Sequence, residues 1–364
     1  MTIIKDVLNC IESYAPLQLQ ESYDNAGLIT GNAQAEVTGA LICLDSTEEV
    51  IDEAIRHQCN LVVAHHPIVF SGLKKITGKN YVERTLIKAI KNDIAIYAAH
   101  TNLDNVQNGV NAVICKKLGL TNTRILAPKK AMLRKLVTFA PHSHAEQVQQ
   151  ALFDAGSGRI GKYDECSFNV NGTGTFMAKE GANPVIGKKG VRHHEPETRI
   201  ETIFESHRAS AILAALKQVH PYEEVAYDIY PLDNANQDAG SGMIGEVEPV
   251  DEKAFLEGLK KDMEAGVVRH TALLGRKVSR VAVCGGSGSF LLPEAIAQGA
   301  QVFITADFKY HQFFDADGRI VIADIGHYES EHYTGELFYE LLKKNFSTFA
   351  LRLTEVKTNP VHYL

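Results

Sequence analysis

Short runs of β-branched and aliphatic residues recur in two parts of the chain, and helix-like segments follow them. In those segments, for example residues 47–58 and 81–92, apolar residues stand at three- and four-residue spacing. This alternation predicts an α/β fold of strand-helix-strand units around a mostly parallel, largely buried sheet. The predicted strands are residues 39–45, 60–66, 94–100, 280–285, 300–307 and 319–325.

The interval between these two parts has a different pattern. Its elements follow the order strand-helix-strand-strand-helix-strand, which is typical of a ferredoxin-like split βαβ unit. We therefore predict a core domain in two segments, 1–127 and 235–364, with an α+β domain inserted at 128–234. Residues 172–194 are rich in Gly and Lys and are predicted to form a mobile loop of the insert. The strand candidates of the insert are 134–139, 167–176, 200–205 and 225–230, and its helix candidates are 145–155 and 207–219.

Composition narrows the class of protein. The 364 residues carry 37 Lys and Arg against 44 Asp and Glu, a net charge of −7 without a long basic tract, so no nucleic-acid partner is expected. No uninterrupted apolar run has the length of a membrane helix, and the amino-terminal segment lacks the apolar region of a signal peptide. The six cysteines are scattered without a C-x-x-C pair. These features indicate a reduced, cytoplasmic protein without a membrane partner.

Histidines and carboxylates follow several predicted strands, at the sheet edge where open α/β sheets bind ligands. His65 and His66 are adjacent at one strand end, and side-chain alternation sends them to different sides of the strand. This arrangement favours two neighbouring metal ions over one shared ion, the alternative being a loop with two solvated imidazoles. The strand-end candidates are Asp45, His65, His66, His100, Asp307 and Asp324.

Residues 100–104 offer a second cluster, His-Thr-Asn-Leu-Asp. Asp104 is suited to bridge two cations, and His100 to act as a ligand, as the partner of a ligand or as a proton shuttle. The alternative for Asp104 is a role as helix cap or turn residue.

Residues 326–331 offer a third cluster. His327 and Glu331 stand at positions i and i+4 of a predicted helix, so they share one face and can present two ligands to a metal. The alternative is a helix start decorated with acids, and Glu329 fits that solvated role equally well. Three separate strand ends with both His and carboxylate favour a metal centre over coincidence.

The candidate ligands are imidazoles and carboxylates without a thiolate. This set suits zinc as the first choice, with Fe, Mn, Co or Ni as alternatives. We expect two divalent ions per chain, and because two-metal sites activate water and polarise a substrate oxygen, hydrolysis is the predicted chemistry. The glycine loop 285–288 lacks the Lys of a P-loop, so phosphate contact and a tight turn both stay open for it. The role of His193 and His194 also stays open.

Seven short segments form a series along the chain. They are Tyr-Asp-Asn-Ala-Gly-Leu at 23–28, Ala-His-His-Pro-Ile-Val-Phe at 64–70, Gly-Leu-Lys at 72–74, His-Thr-Asn-Leu-Asp at 100–104, Cys-Gly-Gly-Ser-Gly at 284–288, Thr-Ala-Asp-Phe-Lys-Tyr-His at 305–311 and Gly-His-Tyr-Glu-Ser-Glu at 326–331. In identity and order the series resembles the NIF-three-like (YqfO-like) dinuclear-metal proteins, which carry the label GTP cyclohydrolase I type 2 homologue. Tyr23 and Ala306 depart from this pattern, where the family usually has Trp and Gly.

The resemblance implies both a ligand set and an assembly. It implies an inserted domain similar to the PII or CutA signalling folds, and a toroidal homohexamer whose metal sites face an inner cavity. The metal ligands that it implies are His65, His66, Asp104, His327 and Glu331.

Two functions are compatible with these features. The first is a metal-dependent hydrolase that acts on a nucleotide or another phosphate-containing small molecule, with His100 or Asp307 relaying protons; the resemblance suggests GTP. The second is a non-enzymatic hexamer that senses a metal or a metabolite and signals through the inserted domain. Turnover that depends on His65 would separate the two.

Overall fold

The computed structural model describes residues 1–364 and consists of two compact units. The core unit comprises Met1–Ala127 together with Asp238–Leu364, and the insert unit comprises Pro128–Gln237. None of the helices combines the length and the apolar character that crossing a membrane requires.

Helices and strands alternate in the first segment of the core unit. Side-chain caps fix two of the helix starts, since Thr47 accepts the Val50 N–H and Asn80 accepts the Glu83 N–H. The elements are α1 (Ile4–Tyr14), β1 (Gly27–Thr30), β2 (Gly39–Asp45), α2 (Glu48–Arg56), β3 (Leu61–His66), α3 (Tyr81–Lys91), β4 (Ala95–Ala98), α4 (Thr101–Asp104), α5 (Val110–Lys117) and β5 (Thr121–Lys129).

The insert unit and the second core segment complete the chain. The insert contains β6 (Leu133–Pro141), α6 (Ala145–Asp154), β7 (Ser167–Met177), β8 (Arg192–Glu205), α7 (Ala209–Val219) and β9 (Tyr227–Leu232). The second core segment contains β10 (Asn236–Asp251), α8 (Glu252–Asp262), β11 (Arg269–His270), β12 (Lys277–Ser287), α9 (Leu292–Ala297), β13 (Val302–Ala306), β14 (Val321–Asp324), α10 (His327–Glu331), α11 (Thr334–Asn345) and β15 (Ala350–Leu353). Short 3-10 helices lie at Leu17–Leu19, His142–His144, Ser206–Arg208, Ser289–Leu291 and Tyr310–Ala316.

The core unit has two sheets, and both are mixed. One has the strand order β1-β4-β3-β2-β15, in which β1 is antiparallel and the other strands are parallel. The other has the order β11-β14-β13-β12-β10-β5, with β12, β13 and β14 parallel and β10 and β11 antiparallel to their neighbours. The prediction of a mostly parallel sheet is therefore wrong. The predicted runs are the parallel central strands, whereas β1 and β11, with 4 and 2 residues, are too short to show a period.

The apolar runs form strands that are buried in the core unit. Every residue of β3 except His66 is buried, and so is every residue of β13. Strands buried on both faces read as continuous apolar runs, because neither face contacts water. Polar side chains come at the carboxyl ends of these strands, where His66 ends β3 and Asp307 directly follows β13.

The insert unit has one antiparallel sheet with the strand order β7-β8-β6-β9. Helices α6 and α7 cover one face with an apolar cluster that includes Val148, Leu152, Ile212 and Leu216.

The loop predicted at residues 172–194 is shorter in the structure, because residues 172–177 and 192–194 belong to β7 and β8 and only residues 178–191 lie between the two strands. Strand β7 continues to Met177, and β8 begins at Arg192, which pairs with it. Most of this ribbon is exposed, and a backbone ladder needs no apolar side chains to satisfy its N–H and C=O groups. The strand predicted at residues 167–176 is confirmed as β7, whereas β8 begins at Arg192, well before the predicted strand 200–205, because its first half is polar and contains no apolar run.

Candidate metal centre

Polar side chains lie at or just after the carboxyl ends of three neighbouring strands of the first core sheet. Asp45 at the end of β2 lies opposite His66 at the end of β3, and His100 follows β4 by two residues. Parallel pairing places these ends side by side, so Asp45, His65, His66 and His100 share one sheet edge.

Glu331, which follows a strand of the second core sheet, lies at the edge of the first sheet beside these side chains. It lies on α10, shortly after β14, and is 2% exposed. Its Oε2 is 2.9 Å from His66 Nε2 and 3.0 Å from His327 Nε2, while its Oε1 is 3.8 Å from His65 Nε2. Asp104 Oδ1 completes the group at 3.6 Å from His65 Nε2. The other four ligand candidates named from the sequence thus lie around the Glu331 carboxylate.

Each of the three imidazoles is oriented by an acceptor on its outer nitrogen. His65 Nδ1 is 2.8 Å from the carbonyl oxygen of Ala99, His66 Nδ1 is 2.8 Å from Asp45 Oδ1, and His327 Nδ1 is 2.7 Å from Asp307 Oδ2. Since a carbonyl or a carboxylate only accepts, each Nδ1 carries the proton. The Nε2 atoms all face Glu331, and a metal ion that replaces the Nε2 proton would find the lone pair of each ring directed at it, as in metal-ligating histidines.

The spacing of these atoms fits a divalent cation. Ligand atoms about 2.0–2.1 Å from a tetrahedral zinc ion lie about 3.3–3.4 Å apart. His66 Nε2 and His327 Nε2 are 3.3 Å apart, and both lie close to Glu331 Oε2. The ligand atoms of His65, His66 and Glu331 all lie within 4.8 Å of one another. These three residues form a group able to hold a metal ion.

Two buried atoms of the cluster have no protein partner. His65 Nε2 and Asp104 Oδ1 are both buried without a hydrogen bond. A buried polar atom without a partner costs about 1–3 kcal/mol. A cation between the imidazole and the carboxylates would satisfy both atoms, so the residues present fit a metal ion.

The electrostatics of the cluster favour positive charge between the carboxylates. Burial, together with the nearby Glu331 carboxylate, raises the pKa of Asp104 to about 8. Burial alone would lower the pKa of His66, but its hydrogen bonds to Asp45 and Glu331 raise it to about 10. The Glu331 and Asp307 carboxylates likewise overcome burial and raise the pKa of His327 to about 11. The raised pKa values mean that these groups keep their protons, whose positive charge offsets the buried carboxylates. A bound divalent ion would supply that positive charge in place of the protons.

Backbone geometry on the second sheet makes room for Glu331. Gly286 has φ +60°, and a Cβ at this position would overlap Glu331 Oε1. The amides of the glycine loop are already committed, since Gly285, Gly286 and Gly288 donate to Asn111 Oδ1, Ser330 Oγ and Thr305 Oγ1. Residues 285–287 are the end of β12, where its register with β13 shifts between Val283 and Ser287, so the expected tight turn is instead an irregular strand end.

Asp307 also lies in the left-handed region, at φ +58°. Its carboxylate accepts from His327 Nδ1 and from the Ser287 hydroxyl. Strained backbone of this kind clusters at functional sites. Through its hydrogen bond to His327, Asp307 contacts the cluster from outside.

Glu329 differs from the expectation of a solvated acid. It is 6% exposed, and its Oε1 accepts a hydrogen bond of 3.1 Å from Asn359 Nδ2. The carboxyl-terminal segment covers this side of α10, and no periodic pattern in the sequence could indicate that contact.

His100 lies beside the cluster and has a partner that sequence reasoning missed. Its Nδ1 is 2.7 Å from Asp24 Oδ1, and its ring centroid is 5.4 Å from those of both His65 and His66. The Thr101 N–H and hydroxyl also donate to Asp24. Asp24 belongs to the segment 23–28 of the motif series. The series could therefore have singled out Asp24 from the sequence, but it assigned this residue no role.

A cavity of about 340 Å³ adjoins the cluster. Its lining includes His66, His327 and Glu331, with His100 beside them and the aromatic rings of Tyr23 and Phe70. The two rings are 61% and 51% exposed, and their centroids are 6.2 Å apart. A small molecule in this cavity would contact imidazoles at one end and aromatic faces at the other.

Known proteins resemble this chain over its whole length. A family model described as Duf34/NIF3 (NGG1p interacting factor 3) matches residues 2–360. A Halalkalibacterium halodurans protein named GTP cyclohydrolase 1 type 2 homolog is 42% identical over 325 residues, 88% of this chain and 87% of that protein. A Bacillus subtilis protein with the same name is 35% identical over 367 residues, 99% of this chain and 98% of that one. The crystal structure of a Bacillus cereus protein related to NIF3 covers 100% of this chain and 99% of its own, at 38% identity and a TM-score of 0.88. These matches confirm the resemblance of the motif series.

Proposed function

Since the chain belongs to the Duf34/NIF3 family, we propose that its histidine-carboxylate cluster is a dinuclear metal centre. We further propose that this centre hydrolyses a nucleotide or another phosphate-containing small molecule. The observation that carries the proposal is the set of three imidazoles whose Nδ1 atoms are all held by acceptors, so that their Nε2 atoms converge on Glu331. When bound, two divalent cations supply Lewis-acid chemistry that activates water and polarises a substrate oxygen.

The ligands divide into two sets that share Glu331. His65, Asp104 and Glu331 Oε1 form one set, whereas His66, His327 and Glu331 Oε2 form the other. A carboxylate that offers one oxygen to each set is suited to bridge two ions. Zinc is the first choice for a set of imidazoles and carboxylates, with Fe, Mn, Co or Ni as alternatives.

His100 is the group best placed to move a proton. Asp24 holds its Nδ1, so the other ring nitrogen is left to accept or donate a proton in the cavity. Asp307 is already engaged with His327 and Ser287 and would act by orienting His327. The cavity volume and its aromatic pair suit a planar base, and the name GTP cyclohydrolase 1 type 2 homolog carried by the relatives makes GTP one substrate to test.

Metal analysis and a turnover screen test this proposal together. The metal-loaded protein should contain close to two divalent ions per chain and should turn over one of a panel of nucleotides and phosphate esters. His65→Ala should abolish both properties, whereas the exposed His270→Ala should change neither. His100→Gln should retain both ions yet lose about 10²–10⁴-fold in kcat. One ion per chain would overturn the dinuclear assignment.

A second candidate function is sensing by a hexamer of this chain. The insert unit has the antiparallel strand order of a ferredoxin-like domain and a cavity of its own, which supports a PII- or CutA-like role in signalling. Metal binding without turnover across the panel would favour this function. Sedimentation of the purified protein at six times the mass of one chain would support the hexamer, and the mass of a single chain would contradict it.

A further inference from the structure

The insert unit contains a cavity of about 680 Å³ that the metal centre does not use. It lies against β7 and β8 and is closed on one side by residues that follow β7. This volume is within the range of small-molecule sites, about 300–1,000 Å³. Such sites are mostly apolar and carry a few convergent polar groups that orient the ligand.

Glu197 is the buried polar group of this cavity. It is 7% exposed, and its Oε1 accepts a hydrogen bond of 2.8 Å from the Tyr222 hydroxyl. No protein donor lies on Oε2, which faces Gly174 across the ribbon, where a Cβ would overlap it. Oε2 is therefore open to a donor from a ligand, and a charged donor would form the stronger kind of hydrogen bond with this carboxylate.

The walls beside Glu197 are aromatic and aliphatic. Phe139 and Phe176 are half-buried in the lining, and the Phe176 ring centroid is 6.1 Å from that of Tyr222. Val170 and Met177 add aliphatic surface. Aromatic faces attract cations through their quadrupole, so these walls and the carboxylate favour the same charge.

The other charged groups in the lining reinforce this preference. Arg199 is paired with Glu201 at 2.9 Å, which places an acid next to its charge. Glu223 accepts from the Asn183 N–H, and Glu224 is exposed without a hydrogen-bond partner. Lys179 is the one lining cation outside an ion pair, and it is exposed. Glu197 is therefore the buried negative charge of the lining, whereas Glu223 and Glu224 are exposed.

We propose that this cavity binds a small organic cation, a protonated amine on an aromatic or aliphatic body. The ammonium donates to Glu197 Oε2, and the body packs against Phe139, Phe176 and Tyr222. The site is independent of the metal centre and of its chemistry, because all of its lining belongs to the insert unit.

Three probes of one shape test the charge preference. Calorimetry with the full-length protein would compare 2-phenylethylamine, the neutral 2-phenylethanol and the anionic 3-phenylpropionate. The amine should bind about tenfold or more tightly than the alcohol, and the anion should bind least. Equal affinity for the three probes, or no binding of the amine at about 10 mM, would overturn the proposal, since even a fragment of this size binds a formed pocket measurably.

Variants then locate the site. Glu197→Gln should weaken amine binding about tenfold or more and leave alcohol binding unchanged, whereas Glu224→Gln removes the same charge at an exposed position and should change amine binding less than about threefold. Equal losses in both variants would contradict a specific contact with Glu197. If Glu197→Gln fails to fold, Val170→Trp fills the cavity from a position that is 43% exposed and should abolish binding. The chain has no Trp, so Phe176→Trp also provides a single fluorophore in the wall, and its emission should change on amine binding.

Discussion

Glu331 in the core unit and Glu197 in the insert unit are both buried carboxylates, 2% and 7% exposed, but their neighbours differ. Glu331 lies among three imidazoles whose Nε2 atoms converge on its two oxygens. Glu197 has one hydroxyl donor, aromatic walls and a free oxygen. Both arrangements compensate a buried negative charge, but they suit different cations.

The difference lies in what the neighbouring groups can offer besides a hydrogen bond. An imidazole provides a lone pair for a metal once its Nδ1 carries the proton, so the core cluster is able to hold a metal ion. A phenol and phenyl rings provide no strong ligand, but they form an apolar, polarisable surface that suits an organic cation. The partners of a buried carboxylate thus predict the class of cation that it takes.

The largest effect is expected from removal of the shared charge. Glu331→Gln should weaken metal affinity more than about 100-fold, because losing a ligand costs more than losing the partner of a ligand. Glu329→Gln, two residues away, should keep the metal content and lose only about 1–2 kcal/mol of stability with its buried hydrogen bond. Elemental analysis and calorimetry on both folded variants would measure this. Equal metal affinity would show that Glu331 is not a ligand.

The second-largest effect on metal affinity is expected from the carboxylates that accept hydrogen bonds from the imidazole Nδ1 atoms. Asp45→Asn and Asp307→Asn keep an oxygen for the Nδ1 proton but remove the charge that makes each imidazole a better ligand. Each should lower metal affinity about 10–100-fold. The exposed Asp317→Asn is the matched control on the same unit. Unchanged affinity in both variants would mean that the two acids do not tune the site.

In the insert unit, loss of the one donor to Glu197 should be moderate. Tyr222→Phe leaves Glu197 Oε1 without its hydrogen bond and should destabilise the folded protein by about 1–3 kcal/mol. Urea unfolding followed by circular dichroism would measure the change. In the double variant with Glu197→Leu this loss should shrink, because no buried acceptor remains. A full loss there would assign the effect to packing.

Mild acid should weaken the insert unit through His220. Burial lowers the pKa of this imidazole, whose Nε2–H donates to the Phe139 carbonyl and whose Nδ1 accepts the Tyr222 N–H. As the pH falls, His220 is protonated in the unfolded chain at a higher pH than in the folded protein. The stability from neutral His220 is therefore complete above about pH 6.5 and is lost as the pH falls from there through the lower folded pKa. The loss is at most about 1.4 kcal/mol per pH unit. Melting curves of the wild type and His220→Gln between pH 7 and 5 should converge. Parallel curves would exclude His220 as the source.

The smallest effect is expected when the two regions are separated. Deletion of residues 128–237 joins β5 to β10, which are neighbours in one core sheet, and leaves every candidate ligand in place. Metal affinity should change by no more than about 0.5 kcal/mol, as for distant and independent sites. A folded deletion variant that loses its metal would show that the insert unit supports the centre.

The sequence alone determined the positions of the strand ends and the residues placed there. Apolar runs bounded by polar residues record burial along the chain, so the runs before His65 and before Gly326 could be recognised locally. The i and i+4 spacing of His327 and Glu331 is equally local, and the structure brings the two side chains to 3.0 Å. These features follow from the strand and helix periods, which a single segment reveals.

Only the tertiary structure decided how the side chains meet. Asp24 reaches His100 from 76 positions away, and Glu331 reaches His66 from 265. The mixed sheets, the early start of β8, the burial of Glu329 and the free oxygen of Glu197 likewise had no periodic signal. Periodicity reports which face of an element is buried, whereas the partner across the interface depends on how distant elements pack. For this reason the sequence indicated the metal centre, and only the structure revealed the cavity of the insert unit.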